Sequence, residues 1–244
     1  MTSAVRVLAY ADMRLLRRDP LLKWMLLLPL VLALLLRVVM PKAQAGLLAA
    51  GGGDLVPYFP LVAGGYLTSA PGIVGMVIGF LLLDERDDRT LTALRVTPLS
   101  MRRYLAYRIV LPLVVGTAST LVGYPLIGIT PLPFRTLLAT TTVAALTAPL
   151  LALILAAVAP NKVAGLALVK VLNGVSLFPM AAFFLAPPLQ FAAGVFPTYW
   201  PMRAVWSAAA GEGYAWFLAF GSASSLLAIW IAASVFERRL LLRG

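Results

Sequence analysis

The sequence contains no cysteine and no histidine. Without cysteine the chain can form no disulfide and offers no thiolate to a metal, and without histidine it lacks the commonest metal ligand and general base. Nucleophilic catalysis by a Cys–His or Ser–His pair is therefore excluded. Charged side chains are also scarce, at 12% of residues, whereas about a quarter of the residues of a soluble domain are charged.

Apolar side chains make up 61% of the 244 residues, and the mean hydropathy is +0.95. A soluble core of this size could not hide so much apolar surface, so lipid must cover it. Six apolar runs approach or exceed the ~20 residues that a helix needs to cross a bilayer, and none alternates with period two. The sequence predicts an all-α integral membrane protein, with a single transmembrane domain over residues 1–244. The predicted spans are approximately 24–40, 59–83, 106–128, 137–159, 164–186 and 214–235.

Lysine and arginine are distributed unevenly among the loops. The N-terminal residues, the loops after the second and fourth runs, and the C-terminal tail carry 14 of them, and the opposite loops carry 3. Basic loops stay on the cytoplasmic side, so we expect a multi-pass protein of the cell inner (plasma) membrane with both termini cytoplasmic. The formal net charge of +11 then reports orientation, and no nucleic-acid partner is expected. Because 23 polar-rich residues precede the first run, we do not expect a cleavable signal peptide.

The first 18 residues have the periodicity of an amphipathic helix. Ala4, Val7, Leu8, Ala11 and Leu15 share one arc of a helical wheel. We predict an interfacial (elbow) helix over residues 3–18, lying in the inner headgroup layer among the membrane lipids. The string "RRDP" ends it, because the residue before a proline disfavours the helical region. The alternative is a basic flank with accidental periodicity.

The stretch "LLLDERDDRTLTALRVTPLS", residues 81–100, gathers four of the nine acidic residues between two apolar runs. It predicts a short helix with Leu91 and Leu94 on one side and acidic residues at the N-terminal end, where the helix dipole favours them. The proline of "VTP" ends this helix, and Ser100 can cap the next one. We predict a small cytoplasmic knob over residues 84–99, with the apolar contacts and charged rim that docking to a soluble partner requires.

The longer string "LDERDDRTLTALRVTPLSMRRYL" resembles the cytoplasmic coupling segment of the membrane subunits of type-2 ABC exporters, which include drug and antibiotic efflux systems. "PPLQFAAGVFPTYWPMRAVW" and "RRDP" are similar to the same family, so the resemblance covers essentially the whole chain. Arg89 stands where the family usually has glycine. The matching residues are Glu85, Thr90, Leu91, Leu94, Pro98 and Ser100.

The resemblance implies a permease that works with an ATPase. No lysine of this chain follows a glycine, so it has no phosphate-binding Gly-Lys-Ser/Thr loop. The resemblance therefore implies a permease subunit that is not itself an enzyme and holds no cofactor, beside a separate ABC ATPase subunit that binds ATP and Mg. A second permease subunit, the same or a related chain, would supply the other half of an alternating-access pathway. The implied coupling residues are Glu85, Asp87, Asp88, Arg89, Thr90, Leu91, Leu94 and Pro98.

The expected cargo is a hydrophobic or amphipathic compound such as a drug or antibiotic, and the resemblance implies that it is exported outward. Lipid-linked glycan, peptide or ion export by the same class of permease is the alternative, and so is a channel or structural membrane subunit that does not use ATP. An intramembrane hydrolase is disfavoured, because the spans contain no acidic residues beyond their ends.

Five residues within the apolar runs are candidates for the transport pathway. Pro71, Gly75 and Gly79 lie in the second run, where small residues serve either a pathway or close helix packing. Lys170 and Asn173 lie in the fifth run, where a charge is costly and suggests function. The alternative for Lys170 is that its ammonium reaches the inner headgroups.

Prolines prevent one continuous helix after the fifth run. We predict that residues 187–209 form two short re-entrant helices that enter the membrane from the outside and act as an external gate. An ordinary extracellular loop is the alternative, and an interfacial aromatic belt is the alternative for Tyr199 and Trp200. The candidate gate residues are Pro188, Phe196, Pro197, Tyr199 and Trp200.

Overall fold

The computed structural model describes residues 3–87, 101–186 and 188–242, and these ranges contain helices joined by short turns and loops, with no β-strand. Six stretches are long and apolar enough to cross a membrane, so the prediction of an all-α protein with six spans is confirmed. We name them spans 1 to 6 in chain order. They run over Pro20–Ala49, Val56–Arg86, Arg102–Ile127, Phe134–Val158, Lys162–Phe184 and Ala215–Arg239. The α-helices within spans 2, 3 and 6 are Phe59–Asp87, Met101–Ile127 and Ala215–Leu242.

An N-terminal helix, Ser3–Arg18, precedes span 1. Asp19 separates the two, with φ −93° and ψ 108°, and its side chain accepts hydrogen bonds from the backbone N–H groups of Leu21 and Leu22. Pro20 follows at the first helical position, where a missing N–H costs nothing. The "RRDP" string thus ends one helix and starts the next. The position of the N-terminal helix in a headgroup layer stays a prediction.

Span 2 occupies the centre of the bundle and is almost wholly buried. It packs against spans 1, 3, 4 and 5. It packs closely on span 4, because Gly75 and Gly79 leave room for that helix. A Cβ atom on Gly75 would lie 2.2 Å from the carbonyl oxygen of Ala148, and one on Gly79 would lie 2.8 Å from a methyl carbon of Leu155. Spans 1 and 5, by contrast, are largely exposed.

Spans 4 and 5 are less regular than their uninterrupted apolar runs suggested. Span 4 consists of helices Phe134–Ala144 and Thr147–Val158, joined by a short turn. The α-helix of span 5 is Lys162–Leu177, and it continues as a 3₁₀ helix over Phe178–Phe184. Pro179 lies at the start of that 3₁₀ segment, and because proline has no N–H to donate, it cannot continue the α-helical hydrogen bonding.

The described part of the proline-rich segment after span 5 contains two short helices. A 3₁₀ helix covers Leu189–Val195, and an α-helix, here named the connecting helix, covers Tyr199–Ala209. The connecting helix packs against spans 2, 4 and 6. Whether this segment dips into the membrane from the outside stays a prediction.

Contacts between distant parts of the chain bring one set of helix ends together. The Lys162 Nζ atom, at the start of span 5, lies 2.9 Å from the Oδ2 atom of Asp19 and 3.0 Å from the Oδ2 atom of Asp84, near the end of span 2. Arg239, in span 6, donates to the carbonyl oxygen of Ala157 in span 4. We name this end of the bundle the basic end, because it is the end with the arginine-rich flanks.

Candidate functional site

A buried ion pair network joins three helices at the basic end. Arg108 of span 3 is fully buried. Its Nη1 atom donates to Asp12 Oδ2 at 2.9 Å and its Nη2 atom donates to Asp12 Oδ1 at 3.1 Å, and Nη2 also donates to Glu85 Oε1. Asp12 comes from the N-terminal helix and Glu85 from span 2. One guanidinium therefore joins the N-terminal helix, span 2 and span 3.

Two tyrosines of span 3 complete this network. The Tyr104 hydroxyl donates to Glu85 Oε2 at 2.6 Å, and the Tyr107 hydroxyl donates to Asp12 Oδ2 at 2.7 Å. The guanidinium carbon of Arg108 lies 5.4 Å and 5.3 Å from the centres of their rings, which is within cation–π range. Each buried carboxylate thus receives hydrogen bonds from two side chains, as a buried charge requires. We name these five residues the Arg108 cluster.

Sequence spacing explains how the Arg108 cluster assembles. Tyr104, Tyr107 and Arg108 are separated by three and four positions, so they share one face of a helix. Asp12 lies four residues after Leu8 and three before Leu15, on the apolar face of the N-terminal helix. Both leucines pack against the hydrophobic core. Burial of that apolar face therefore brings Asp12 to Arg108.

A second ion group lies beside the first. Lys162 bridges Asp19 and Asp84, and all three side chains are partly exposed. The hydrogen bond from Lys162 lowers the pKa of Asp19, with smaller contributions from the backbone N–H groups that Asp19 caps, and these outweigh the effect of partial burial. Asp19 therefore both starts span 1 and connects it to spans 2 and 5.

Two arginines bind carbonyl groups at the end of span 4. Arg86 donates to the carbonyl oxygens of Ala156, at 3.1 Å, and Pro160, at 2.7 Å, and Arg239 donates to that of Ala157. The last carbonyls of a helix have no partners within the helix and carry partial negative charge, so they favour cations. These contacts connect spans 2 and 6 to the end of span 4.

The contacts of the basic end surround both ends of the segment between spans 2 and 3. Asp84, Glu85 and Arg86 are consecutive residues, and each of them bonds to a different part of the protein. Across the segment, Tyr104 and Arg108 join the start of span 3 to the end of span 2. These contacts join spans 2 and 3 on either side of the segment, so the arrangement can transmit force between the segment and both spans.

The predicted coupling residues fall into three groups. Glu85 is 7% exposed and bonds to Arg108 and Tyr104, and its role in coupling stays a prediction. Asp87 is the last residue of the span 2 helix. The remaining predicted coupling residues lie outside the described residues; they are Asp88, Arg89, Thr90, Leu91, Leu94 and Pro98.

The predicted pathway residues separate into a packed set and an open set. Gly75 and Gly79 contact span 4. Pro71 lies against Gly116 of span 3, where an added Cβ atom on Gly116 would lie 3.0 Å from the Pro71 Cβ atom. This placement favours the packing alternative for all three residues. Lys170 is exposed on span 5 and Asn173 is partly exposed. A pathway role for these two, and the headgroup alternative for Lys170, stay predictions.

The predicted gate residues surround the start of the connecting helix. Tyr199 is fully buried. Trp200 stacks on Phe220 of span 6, with ring centres 5.2 Å apart, and its Nε1 atom donates to the Gly194 carbonyl at 3.0 Å. Phe196 contacts Phe178, with ring centres 5.6 Å apart. Of the two other predicted gate residues, Pro197 is partly buried and Pro188 is exposed. A gating role stays a prediction.

A cavity of about 400 Å³ lies between spans 4, 5 and 6, and Phe196, Pro197 and Thr198 contribute to its wall. The lining side chains are almost all apolar and none is charged. Examples are Leu150 and Ile154 of span 4, Leu172 of span 5, and Ala228 and Ile231 of span 6. Within the ranges that the structure describes, no group of three or more acidic side chains could hold a metal ion.

A model of the Rv2686c-like family, described as fluoroquinolones export permease protein Rv2686c-like, matches residues 12–233. The chain belongs to the Rv2686c-like family. The match begins at Asp12 and includes the whole Arg108 cluster. The chain is accordingly a membrane permease of the export type, with six spanning helices.

Two curated relatives are similar along most of their length. They are the fluoroquinolones export permease proteins MT2760 and Rv2686c, from the CDC 1551 / Oshkosh and H37Rv strains of Mycobacterium tuberculosis. Each is 34% identical to this chain over 224 residues, which are 90% of this chain and 88% of the relative. No solved structure matches the chain. The relatives and the family model support the resemblance to efflux permeases that the coupling segment suggested.

Four residues of the Arg108 cluster were not among the predicted site residues: Asp12, Tyr104, Tyr107 and Arg108. Two signals were present. Arg108 lies inside an apolar run, where a charge needs a partner, and Asp12 interrupts the apolar arc between Leu8 and Leu15. Each signal demands an ion partner, but the pairing depends on the packing of three helices and cannot be read from spacing along one chain.

Proposed function

We propose that this permease is the membrane subunit of an ATP-driven exporter and that a separate ATPase drives it through the segment between spans 2 and 3. The observation that carries the proposal is the Arg108 cluster. It fixes both ends of the proposed coupling segment to the N-terminal helix, as a force-transmitting element requires. Because the sequence contains no Gly-Lys-Ser/Thr loop, we propose that ATP and Mg bind to the partner chain.

In the proposed mechanism, residues 84–99 dock in a groove of the ATPase at the cytoplasmic face of the cell inner membrane. ATP-driven closure of the ATPase displaces the segment. Because Glu85 and Arg108 connect the segment's two ends, spans 2 and 3 move with it as one body. The Lys162 bridge to Asp19 and Asp84 carries the same displacement to spans 1 and 5. The result is alternating access, with both termini cytoplasmic.

A second permease subunit, the same chain or a related one, completes the proposed pathway. Spans 1 and 5 are largely exposed in the single chain, whereas span 2 is buried. Lys170 lies on the exposed surface of span 5, and a charge there is costly in lipid but acceptable beside a hydrated pathway. We place the pathway between the two subunits, along span 5.

The proposed cargo is an amphipathic, drug-like molecule. The support is the name of the two relatives, fluoroquinolones export permease protein, and the uncharged, apolar cavity between spans 4, 5 and 6. We propose outward transport because these relatives are described as export permeases.

Co-purification from native membranes tests the ATPase partner. An affinity-tagged chain is extracted in mild detergent with a non-hydrolysable ATP analogue, and the captured proteins are identified by mass spectrometry. Wild type is compared with the double variant Leu91→Ala/Leu94→Ala and with Leu226→Ala, whose side chain is exposed on span 6. We expect an ATPase subunit with wild type and with Leu226→Ala, and its loss from the double variant. Capture of no ATPase by the wild type would reject the proposal.

A further inference from the structure

We infer that the cavity between spans 4, 5 and 6 is a binding site for the aromatic body of a small amphipathic molecule. The inference rests on the proposed function for the choice of cargo, and it adds a location and a recognition chemistry. The site is distinct from the exposed surface of span 5 that carries Lys170. Leu172, Val175 and Ser176 line the cavity, and at 100° per residue they lie on the opposite side of the span 5 helix from Lys170.

The cavity reaches the middle of the bundle. Its lining includes one residue near the midpoint of each of the three spans. These residues are Thr147 of span 4, Leu172 of span 5 and Ala228 of span 6. Val158 and Val235 also line it, and both lie close to the basic end. The cavity therefore extends from mid-span toward the basic end, and Phe196–Thr198 bound it.

Span packing leaves the cavity a lateral entrance. Within the described residues, span 5 packs mainly on span 2 and span 6 packs mainly on span 4 and the connecting helix. Residues of spans 5 and 6 face each other across the cavity without extensive contact between the helices. A molecule dissolved in the bilayer can enter there without first crossing a polar surface.

A hydroxyl group distinguishes this cavity from a site for a lipid tail. Thr198 lines the cavity and is 5% exposed. Its hydroxyl has no hydrogen-bond partner among the described residues, and a buried hydroxyl without a partner is destabilising. A carbonyl, ether or amine of a bound molecule would satisfy it. An acyl chain has no polar atom at that depth, so the hydroxyl favours a small molecule with polar substituents.

Volume and charge define the rest of the ligand. A cavity of about 400 Å³ lies in the range of pockets that bind small molecules. With no charged side chain in the wall, an anionic group of the ligand must remain outside the apolar part. Arg239 provides a cation at the right place, because it bonds to the carbonyl oxygen of Ala157, a lining residue near the basic end. The expected ligand has an apolar aromatic body, a hydrogen-bonding substituent and an anionic end.

Equilibrium dialysis with norfloxacin, a fluoroquinolone, tests the site. The purified chain is reconstituted in nanodiscs of phosphatidylethanolamine and phosphatidylglycerol, and binding to empty nanodiscs is subtracted. Ala228→Phe adds a ring to the cavity wall, and Ala223→Phe adds the same ring to an exposed position of the same span. We expect saturable binding of norfloxacin to wild type. The affinity should be lower by about tenfold or more in Ala228→Phe, because the ring takes up cavity volume. In Ala223→Phe the affinity should change by less than about twofold.

Thr198→Val provides a second variant that does not depend on tolerance of a large ring. It removes the hydroxyl and preserves the shape of the side chain. We expect norfloxacin affinity to fall severalfold in Thr198→Val and to be retained in Thr198→Ser. Elution from a size-exclusion column verifies that each variant is folded. If Ala228→Phe does not fold, the Thr198 pair decides the outcome.

Three results would overturn the inference. Equal norfloxacin binding by wild type and by every variant would place the cargo elsewhere. The absence of saturable binding to wild type would reject this ligand class. The third result is a phospholipid that native mass spectrometry detects on wild type and Ala223→Phe but not on Ala228→Phe. If norfloxacin does not displace that phospholipid, the cavity is assigned to an acyl chain. None of these results affects the co-purification of an ATPase, so the proposed function is judged independently.

Discussion

Replacement of Arg108 by methionine perturbs the centre of the basic end. Methionine has similar length and no charge, so Arg108→Met leaves the carboxylates of Asp12 and Glu85 buried without a cation. Both lose hydrogen bonds to the guanidinium, at 2.9 and 3.1 Å in the case of Asp12. Removal of one partner from a buried ion pair costs about 3–5 kcal/mol. The side chain of Arg108 is 0% exposed, so solvent provides little relief.

The predicted loss of stability converts to a large change in melting temperature. In a protein of about 150–250 residues, 1 kcal/mol shifts Tm by about 2–4 °C, so Arg108→Met should lower Tm by about 6–20 °C. Unfolding of the purified chain in detergent is followed by circular dichroism. Arg102→Met is the matched control, because Arg102 lies on the same helix and is exposed. It should change stability by no more than about 0.5 kcal/mol.

A compensating variant separates charge imbalance from lost packing. When Asp12→Asn and Glu85→Gln are added to Arg108→Met, no unpaired charge remains in the cluster. The triple variant should therefore recover a large part of the lost Tm, because well-packed neutral groups often replace a buried ion pair at little cost. A Tm of Arg108→Met within about 2 °C of the Arg102→Met control, which corresponds to about 1 kcal/mol or less, would refute the assignment of Arg108 as the buried link between three helices.

Two further predictions concern packing and pH. Gly75→Ala should lower Tm by about 2–12 °C, because its Cβ would lie 2.2 Å from the Ala148 carbonyl oxygen. The control Gly174→Ala, with no atom within 4 Å of its Cβ, should leave Tm unchanged or raise it. Equal effects of the two substitutions would contradict the close contact. Lys162 holds the pKa of Asp19 below its unfolded value, so the ionised carboxylate stabilises the fold above about pH 3.9 and this contribution disappears as pH falls through the folded pKa. Asp19→Asn keeps an oxygen for the helix cap and removes only the charge. The Tm of this variant should therefore lie below that of wild type at neutral pH and approach it in acid. A Tm difference that does not change with pH would contradict the ion pair.

Hydropathy was sufficient to predict the six spans, because the cost of exposing backbone and charges to lipid dominates every other local preference. It was less able to predict where helices end. Span 1 extends to Ala49, well past the predicted 24–40, because polar residues such as Lys42 and Gln44 continue the helix beyond the apolar run. Span 5 leaves the α-helical geometry at Leu177, although the apolar run continues, because Pro179 follows.

The candidate site was only partly accessible from the sequence. Local composition indicated that residues 81–100 are special, and the resemblance to type-2 exporters added a function for them. The internal role of Glu85 could not be inferred, since it depends on Arg108, which is 23 residues away, and on a separate N-terminal helix that carries Asp12. Likewise, Gly75 and Gly79 gave the same sequence signal for a pathway or for packing, and only the positions of Ala148 and Leu155 beside them favour packing.

We propose that ATP hydrolysis by a partner drives export through this permease, and transport in membrane vesicles measures this directly. Inside-out membrane vesicles that contain the chain and its co-purified ATPase expose the cytoplasmic face, so ATP is added to the external medium. Norfloxacin uptake is then measured with a proton uncoupler present. We expect uptake that requires hydrolysable ATP and is lost when Leu91→Ala/Leu94→Ala replaces wild type. Uptake that persists without ATP, or that the uncoupler abolishes, would contradict the claim.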